Sequence, residues 1–369
     1  MPVKVAYTPL NATSVDINNV IRAQAPLEYQ QRVPKVETLK DVPKVGEIIL
    51  GYPALANQYI NPLMNQVAFM NVRNAIYSNP YADLKKGGLT FGETIEEAFV
   101  EMAKAQEFSA EKAEERELKR TLPDVRAAFH VINWDVQYPI TIQFADLERA
   151  VLNESGATDL VGRVTNSISV GVNYDEFNLI KYLLIKGFNN GEIYNRQITT
   201  TAGADALHNA AITFRQTALD MGFMNTQFNL AGVHTVTPMD DIVIFMPTEF
   251  VSAYDINVLA ASFHMDRATF IGKLHVIDSF TTFDNERFAA IRAGSTMIEE
   301  VTDAELAAMA NVKAIICDKE YFQIYDNLRA TKFTEKYVAA GDYWNYFYRD
   351  VKVVSTSPFS NAIAITAAN

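Results

Sequence analysis

The uneven spread of proline is the feature that most constrains this chain. Seven of its 13 prolines fall within the first 62 residues, which also contain valine, isoleucine, leucine and tyrosine throughout. Proline donates no backbone hydrogen bond and is excluded from helix interiors and central strands. Residues 1 to about 56 are therefore predicted to contain neither a regular helix nor a central strand. Their apolar content favours either an extended arm lying on its own or a neighbour's surface, or an ordinary irregular segment.

Residues 77–150 are predicted to leave the body of the protein as a strand and to return as a strand. Between them, residues 101–120 contain six acidic and five basic side chains, interleaved with alanine. Such a pattern is typical of a solvated or salt-bridged helical face. Ile140, Ile142 and Phe144 then alternate with polar residues, which predicts the returning strand. A two-stranded excursion is barely stable in water by itself, so this region is a first indication of assembly.

Residues 157–189 carry the strongest helical pattern and are predicted to form one helix of about 30 residues. Asp175 and Glu176 precede Lys181 and Lys186, which is the order that favours the helix dipole. The sequence "NNG" ends the helix, since Asn and Gly readily adopt the left-handed conformation found after helices. Large apolar side chains recur at helical spacing along one stripe. The stripe consists of Phe177, Ile180, Leu184 and Phe188.

The later part of the chain mixes helix-like and strand-like patterns. "ADALHNAAITFRQTALDM" and "DINVLAASF" are predicted to be helices, and "DIVIFMP" and "GKLHVIDSF" to be strands. "AIICDKEYFQIYDNL" is predicted to form a strand pair. Thr302 and Glu305 have capping-box spacing at the start of a short helix, and Gly87 and Gly88 predict a turn. Together these patterns predict an α+β fold.

Net charge and cysteine content exclude several classes of function. The formal net charge is −12, so the chain offers no dense field of lysine and arginine for binding nucleic acid. The one cysteine, Cys317, allows neither an intramolecular disulfide nor a cysteine zinc cluster, and its apolar neighbours predict a small buried side chain. No apolar run has the length of a signal peptide or the roughly 20 residues of a membrane span. The chain is therefore expected to be made in a cytoplasm and to stay soluble.

Motifs of catalysis and nucleotide binding are missing from the sequence. Two weak metal candidates are His234 with Asp240 and Asp241, and His275 with Asp278. Each is more simply a single surface or core residue, because a metal site needs several ligands at matched spacing. "TTTAGADALHN" could hold an anion at a helix start, although an ordinary N-cap explains it better. We therefore expect no catalytic, cofactor-binding or metal-binding residues, and no cofactor.

The densest aromatic cluster lies near the C-terminal end, in "YWNYFY", and a strand-like alternation follows it. Such a cluster could form the wall of an enzyme pocket or a surface on which neighbouring subunits rest. Five of the six positions are aromatic, namely Tyr343, Trp344, Tyr346, Phe347 and Tyr348.

Three stretches of the sequence resemble a known family. They are "LTFGETIEEAFVEMAKAQEFSAEKAEERELKRTLPDVRAAFH", "DINVLAASFHMDRATFIGKLHVIDSF" and "CDKEYFQIYDNLRATKF…YWNYFYRDVKVVSTSPFSNAIAI". Spanning roughly residues 80–365 in order, they closely resemble the major capsid (head) protein of small short-tailed bacteriophages with protein-primed DNA replication. The resemblance implies the capsid fold shared by tailed phages and herpesviruses. That fold has an N-terminal arm, an extended loop, a peripheral domain with a long spine helix, and an axial domain.

The resemblance also implies a domain division. In the implied fold, the aromatic cluster would pack the long peripheral strands against the spine helix and an overlying extended loop. The alternative is that its rings simply form part of the intramolecular core. Residues 284–314 look like an additional helical stretch in the axial domain, and the C-terminal immunoglobulin-like domain of some relatives is not expected after "SNAIAI". The implied division is arm and lead-in 1–76, extended loop 77–150, peripheral domain 151–214 and 321–356 with the spine helix at about 157–189, and axial domain 215–320 and 357–369.

The function implied by the resemblance is self-assembly, as pentamers and hexamers, into an icosahedral or prolate virion head around double-stranded phage DNA. Assembly would take place in the host cytoplasm with a scaffolding protein and a portal as partners, without sequence-specific DNA binding and without a membrane. Two alternatives stay open: a cellular cargo-enclosing shell of the same fold, and a motif-poor metal-dependent enzyme acting through His234 or His275. We also expect that a Gly-Ser linker in place of residues 84–135 leaves a folded subunit that no longer closes shells.

Overall fold

The structure is a computed structural model, and it describes three long parts of the chain together with single residues and a short stretch before them. The predicted helix "DINVLAASF" and the strand residue Phe144 lie outside the described residues. The described residues are 77–143 except 91 and 93, 156–253 except 202–204, 267–367 except 342, and, nearer the N-terminus, 15, 19, 22, 23, 26–38, 41, 44, 45 and 48.

The chain divides into two compact units, Met1–Arg73 with Glu148–Leu160 and Asn74–Leu147 with Val161–Asn369. The strands are β1 (Gly87–Leu89), β2 (Thr94–Val100), β3 (Val125–Gln143), β4 (Tyr194–Gln197), β5 (Ile242–Pro247), β6 (Leu274–Ile277), β7 (Val312–Asp318), β8 (Phe322–Asn327), β9 (Lys332–Val338), β10 (Tyr343–Thr356) and β11 (Ala362–Thr366). The helices are α1 (Leu27–Arg32), α2 (Ala113–Glu117), α3 (Gly156–Asn189), α4 (Ala206–Met221), α5 (Thr248–Ala253), α6 (Arg267–Lys273), α7 (Asn285–Ala293) and α8 (Asp303–Ala308).

In the first unit, the described residues contain a short helix and a small apolar cluster. α1 lies between Pro26 and Pro34, where no proline interrupts its backbone hydrogen bonds. Its Tyr29 is buried. The prediction that residues 1–56 contain no regular helix is therefore wrong for these six residues. The buried members of the cluster are Tyr29, Val33, Val36 and Val45.

The larger sheet contains six strands in the order β1-β8-β10-β3-β2, with β9 also paired to β10. β10 is its centre. Residues 343–349 run antiparallel between β3 and β9, and residues 352–356 pair with β8. β3 is longer than its neighbours, so residues 132–143 pair with β10 while residues 125–131 pair with β2. The second half of β3 thus belongs to the body, and its first half leaves the sheet together with β2 as a hairpin.

The smaller sheet has the order β4-β11-β7-β5-β6, and its central strands are buried on both faces. Along β5, Val243 and Phe245 belong to the core that contains α3. The alternating residues Ile242, Ile244 and Met246 belong to the core that contains α4. Side chains of a strand alternate between its two faces, so a strand with an apolar layer on each side must be apolar at nearly every position. This explains the continuous apolar run "IVIFM".

Helix α3 spans 34 residues, about 50 Å, and is surrounded by protein along most of its second half. The sequence interpretation linked its four charged residues to the helix dipole. In the structure all four are buried, and each pairs with a distant part of the chain, because a buried charge needs a partner. The pairs are Asp175 with Arg287 at 2.7 Å, Glu176 with Lys85 at 2.7 Å and with Lys352 at 3.2 Å, Lys181 with Asp278 at 2.8 Å, and Lys186 with Glu305 at 2.7 Å.

Residues 284–314, the stretch expected to be additional, form α7, α8 and the start of β7. Phe288 on α7 stacks on Tyr182 of α3 with ring centroids 5.4 Å apart. The Tyr182 hydroxyl accepts a hydrogen bond from the Glu299 amide at 2.9 Å. This stretch therefore covers one side of the long helix.

Most of the helices and strands predicted within the described residues are confirmed. They include the long helix, "ADALHNAAITFRQTALDM", the strands in "DIVIFMP" and "GKLHVIDSF", and the capping box of Thr302 and Glu305. Three predictions are wrong. Gly87 and Gly88 lie in strand β1, "AIICDKEYFQIYDNL" forms strands β7 and β8 that lie in different sheets, and residues 101–120 are helical only in α2. The buried position of Cys317 is confirmed.

Candidate assembly surfaces

The extended hairpin, residues 94–131, consists of β2, the first half of β3 and the connection between them. Its strands pair along their whole length, and the Glu101 amide closes the ladder by donating to the Asp124 carbonyl oxygen at 2.8 Å. Beyond this bond the connection exposes several large apolar side chains to water. The three most exposed are Phe108 at 93%, Leu118 at 89% and Leu122 at 82%.

One face of β2 fixes the base of the extended hairpin to the body of the protein. Phe99 stacks on Phe359, with ring centroids 5.7 Å apart. Glu101 lies on the same side of the chain and contacts the His234 imidazole. The hydrogen bonds and ion pair from His234, opposed by the small cost of removing Glu101 from water, lower the pKa of Glu101. The hairpin thus has a fixed base and an uncovered end.

A chain of polar contacts ties the same base to β10. The Glu97 carboxylate accepts a hydrogen bond from the Ser357 hydroxyl at 2.7 Å, and its other oxygen lies 3.1 Å from Nε2 of His130. Nδ1 of the buried His130 lies 2.7 Å from the Ser355 hydroxyl. Sequence reasoning missed these polar contacts because the residues that make them are up to 260 positions apart in the sequence. They hold β2 and β3 in a set position beside β10.

The two histidines considered as metal ligands have other partners. The imidazole of His275 lies between the rings of Tyr81 and Phe245, each with its centroid 5.3 Å away, and 3.4 Å from the Asp83 carboxylate. Burial lowers the pKa of His275, and Asp83 offsets only part of this shift. Across the described part of the chain, no group of three His, Cys, Asp or Glu side chains is placed to hold a metal ion.

The acidic members of those two candidates are also engaged elsewhere. Asp278 pairs with Lys181 at 2.8 Å, and Asp241 pairs with Lys319 at 2.5 Å. The Asp240 carbonyl oxygen accepts a hydrogen bond from Lys273 at 2.6 Å. The side chains of Asp278 and Asp241 therefore have structural partners of their own, and Asp240 takes part through its backbone.

The Thr-rich segment "TTTAGADALHN" ends in an ordinary helix cap. The Asp205 carboxylate accepts a hydrogen bond from the His208 amide at 2.7 Å at the start of α4. A carboxylate in this position satisfies a helix donor and complements the helix dipole. An external anion would have to compete with this fixed negative charge.

The aromatic stretch of β10 lies between β9 and β3, and its five rings are half-buried. Tyr348 sits directly opposite Tyr138 of β3, with ring centroids 6.3 Å apart. The Tyr138 hydroxyl donates to Asp175 of α3 at 2.8 Å, so this face of the sheet is directed at the long helix. The contact with the long helix is made by Tyr138, so packing of the cluster itself against that helix stays a prediction. Coverage of the cluster by an extended loop stays a prediction.

A buried charge cluster joins α3 to the larger sheet. The ammonium group of Lys352 contacts the Asp350 carboxylate and lies 3.2 Å from Glu176 and 3.4 Å from Asp326. Lys85 lies 2.7 Å from both Glu176 and Asp326. Burial alone would lower the pKa of Lys352, but the three carboxylates outweigh burial and raise it. Burial raises the pKa of Asp350.

Comparison with known proteins identifies the family. Residues 18–366 match the model of the Phi29-like phage major capsid protein family. The chain belongs to this family. The major capsid protein of Bacillus phage B103 is 29% identical over 363 residues, which is 97% of this chain and 74% of the relative. The major capsid protein of Bacillus phage GA-1 is 30% identical over 358 residues, which is 95% of this chain and 69% of the relative.

Solved capsid structures share the fold of this major capsid protein. The match to the capsid structure of Staphylococcus phage Andhra has a TM-score of 0.64 at 17% identity, covering 82% of this chain and 88% of that chain. The match to the capsid of cyanophage P-SCSP1u has a TM-score of 0.51 at 12% identity, covering 82% and 92%. The tailed-phage capsid fold, the α+β class and the place of the protein in the virion shell are therefore confirmed. Within the described residues, no helix has the length and apolarity required to cross a membrane.

Proposed function

We propose that copies of this capsid protein close a shell because neighbouring copies cover the extended hairpin of each subunit. The observation that carries this proposal is the set of large apolar side chains that a single chain leaves in water at Phe108, Leu118 and Leu122. Obligate interfaces are large and rich in apolar contacts. Each copy would cover the hairpin of one neighbour and have its own hairpin covered by another. Many individually weak contacts would therefore combine into a stable closed assembly.

We propose that the domain division implied by the family applies with a shorter loop. Tyr81 and Leu84 are buried in the main core, and Trp134 is completely buried, so the residues around them act as part of the body. The extended loop is then residues 94–131. The other parts keep their predicted bounds: arm and lead-in 1–76, peripheral domain 151–214 and 321–356, and axial domain 215–320 and 357–369.

The shell would consist of pentamers and hexamers and would enclose double-stranded phage DNA, with a scaffolding protein and a portal as assembly partners. Family membership supports this role. The net charge of −12 supports a container that holds DNA without gripping it, because like charges repel.

We also propose that the protein has no catalytic activity. His234 and His275 each contact a carboxylate that serves a structural purpose, which gives the metal-enzyme alternative no support. The cellular-shell alternative is disfavoured because the matched relatives are phage proteins.

The experiment that tests the proposal replaces residues 103–122 by a short Gly-Ser turn. This change removes the exposed apolar side chains and leaves the closing bond between Glu101 and Asp124 in place. We expect a folded subunit, with thermal unfolding close to that of the wild type, that forms no shells by negative-stain electron microscopy. Shells of normal yield from this variant would contradict the proposal.

A matched control changes charge and keeps the apolar side chains. Glu114→Ala and Glu115→Ala alter two exposed residues of α2, and this double variant is expected to close shells. The replacement of residues 84–135 expected from the sequence is not a usable test. It would remove Leu84 and Trp134 from the core and unfold the subunit.

A further inference from the structure

A groove of about 350 Å³ lies between α3 and β3. Its walls are mostly apolar or aromatic, and Arg287 is the one charged side chain among the described residues that line it. The groove is on the face of the larger sheet that carries Tyr138 and Tyr348. The lining residues that matter here are Tyr138, Ile140, Ile168, Gly171, Tyr174 and Arg287.

The groove depends on a glycine inside a helix. Gly171 lies in the interior of α3, where glycine is less favourable than alanine. A Cβ atom at this position would point toward the end of the Arg287 side chain at 3.1 Å and the Tyr138 ring at 3.8 Å. The missing side chain therefore lets Arg287 and Tyr138 lie close to the backbone of α3, where any side chain at this position would press on them.

Arg287 is held in place at the rim of the groove. Its Nε and Nη2 donate to the two Asp175 oxygens at 2.7 and 3.1 Å, and its guanidinium carbon lies 5.6 Å from the centre of the Tyr174 ring. The side chain nevertheless stays 39% exposed. An apolar groove with a fixed cation at its rim suits an aromatic side chain that has an acidic neighbour.

The extended hairpin carries such a side chain. Phe108 is 93% exposed, so its own chain does not cover it, and Glu107 precedes it. Leu118 and Leu122 are nearly as exposed, and Leu118 also follows an acidic residue, Glu117. The basic residues Lys119 and Arg120 lie between the two leucines, whereas no basic residue directly adjoins Phe108. The charge pattern therefore favours Phe108 as the occupant. The connection has 24 residues, which allows a reach of up to about 40 Å from the body.

We propose that Phe108 of one copy inserts into this groove on a second copy, with Glu107 beside the partner's Arg287. The inference rests on the proposed function and names one contact within it. A buried phenylalanine removes roughly 150–250 Å² from water, which makes it a suitable central anchor for the contact.

Disulfide trapping tests the contact directly. The single native cysteine, Cys317, is fully buried, so new surface cysteines react without a competing thiol. Subunits carrying Phe108→Cys and subunits carrying Gly171→Cys are mixed in equal minor amounts into wild-type protein, so that shells form. Oxidised shells are expected to contain a disulfide-linked dimer of the two variants. Unassembled subunits are expected to contain none.

The matched control pairs Phe108→Cys with Leu328→Cys, an exposed position in the turn after β8. The contact is refuted if shells form without the Phe108–Gly171 dimer, or if the control pair forms it equally well. In either case the proposed function stands, because it is tested separately by the variant in which residues 103–122 are replaced.

Filling the groove gives an independent readout. Ser167→Leu enlarges an exposed residue of α3 that lines the groove and favours the helix, so the subunit is expected to keep its melting temperature. We expect at least a tenfold loss of shell yield, together with a similar loss for Phe108→Ser. Normal yields from both variants would overturn the proposal.

Discussion

The two halves of strand β3 differ in what they are built to contact. One half packs into the body of its own subunit, and the other leaves apolar side chains exposed for neighbouring copies. Residues 132–143 pair with β10 and include the completely buried Trp134 and the buried Ile142. Residues 125–131 continue the same strand, pair only with β2, and leave Phe129 65% exposed. Both halves have the composition of a strand. The first half differs in that the described part of the chain leaves its apolar side chains Val125 and Phe129 more than half exposed.

This difference separates folding from assembly. Apolar side chains in the second half of β3 stabilise the subunit, because α3 and α7 pack over them. Trp134, for example, contacts Phe288 with ring centroids 5.8 Å apart. The exposed apolar side chains of the extended hairpin, such as Phe108, Leu118 and Phe129, contribute little to the subunit and are available to neighbouring copies. Substitutions in the two regions should therefore affect different measurements.

The largest expected effect is on Trp134. Trp134→Ala leaves a large cavity and is expected to lower the free energy of unfolding of the unassembled subunit by about 3–5 kcal/mol in chemical denaturation. Phe129→Ala on the same strand is the matched control and should change it by less than about 0.5 kcal/mol. Comparable losses from both variants would show that the hairpin half of β3 is part of the subunit core.

A smaller effect is expected from the buried charge cluster. Lys352→Met removes the ammonium group shared by Asp350, Glu176 and Asp326 and should cost about 3 kcal/mol. This is the lower end of the range for breaking a buried pair, because Lys85 still neutralises part of the charge.

An exposed ion pair for comparison with Lys352 is formed by Arg349, also on β10, and Asp135 on β3. The side chains of both residues are about two-fifths exposed. Arg349→Met should cost less than about 1 kcal/mol in the same denaturation experiment. Equal costs for the two variants would mean that burial does not set the strength of these ion pairs.

The smallest effect is expected at the base of the hairpin. His234 lowers the pKa of Glu101, so His234→Ala should return that pKa toward its ordinary value in a carboxyl NMR titration. The contact is favourable above the ordinary pKa of Glu101 and is lost as the pH falls through the lowered one. An unchanged pKa in the variant would show that His234 does not hold the base. The protection factors of the hairpin amides should fall in acid in the wild type and should depend less on pH in the variant.

Local sequence patterns were sufficient to predict those helices and strands whose burial or capping follows from residues close together in the sequence. The apolar run "IVIFM" indicates a strand buried on both faces, and the spacing of Thr302 and Glu305 indicates a helix start. The long helix was found because its apolar residues recur over many turns. The exposure of residues 101–120 followed from their interleaved charges.

Contacts between distant residues could not be predicted in this way. Nothing near Glu176 in the sequence indicates that Lys85 and Lys352 surround it, and a dipole argument was the nearest local explanation. The groove was missed for the same reason, since a helix glycine acquires meaning only once Arg287 and Tyr138 are placed beside it. The loop predicted at 77–150 is longer than the extended loop we propose, because strand β3 has no change of sequence pattern at residue 131, where its pairing passes from β2 to β10.

Radical footprinting of the extended hairpin tests most directly whether sister copies cover it. Hydroxyl radicals label exposed side chains, and Phe108, Leu118 and Leu122 should be labelled strongly in unassembled subunits. In closed shells their labelling should fall several-fold, while the labelling of Trp134 stays low in both states. Equal labelling of the three hairpin residues in subunits and in shells would contradict the account.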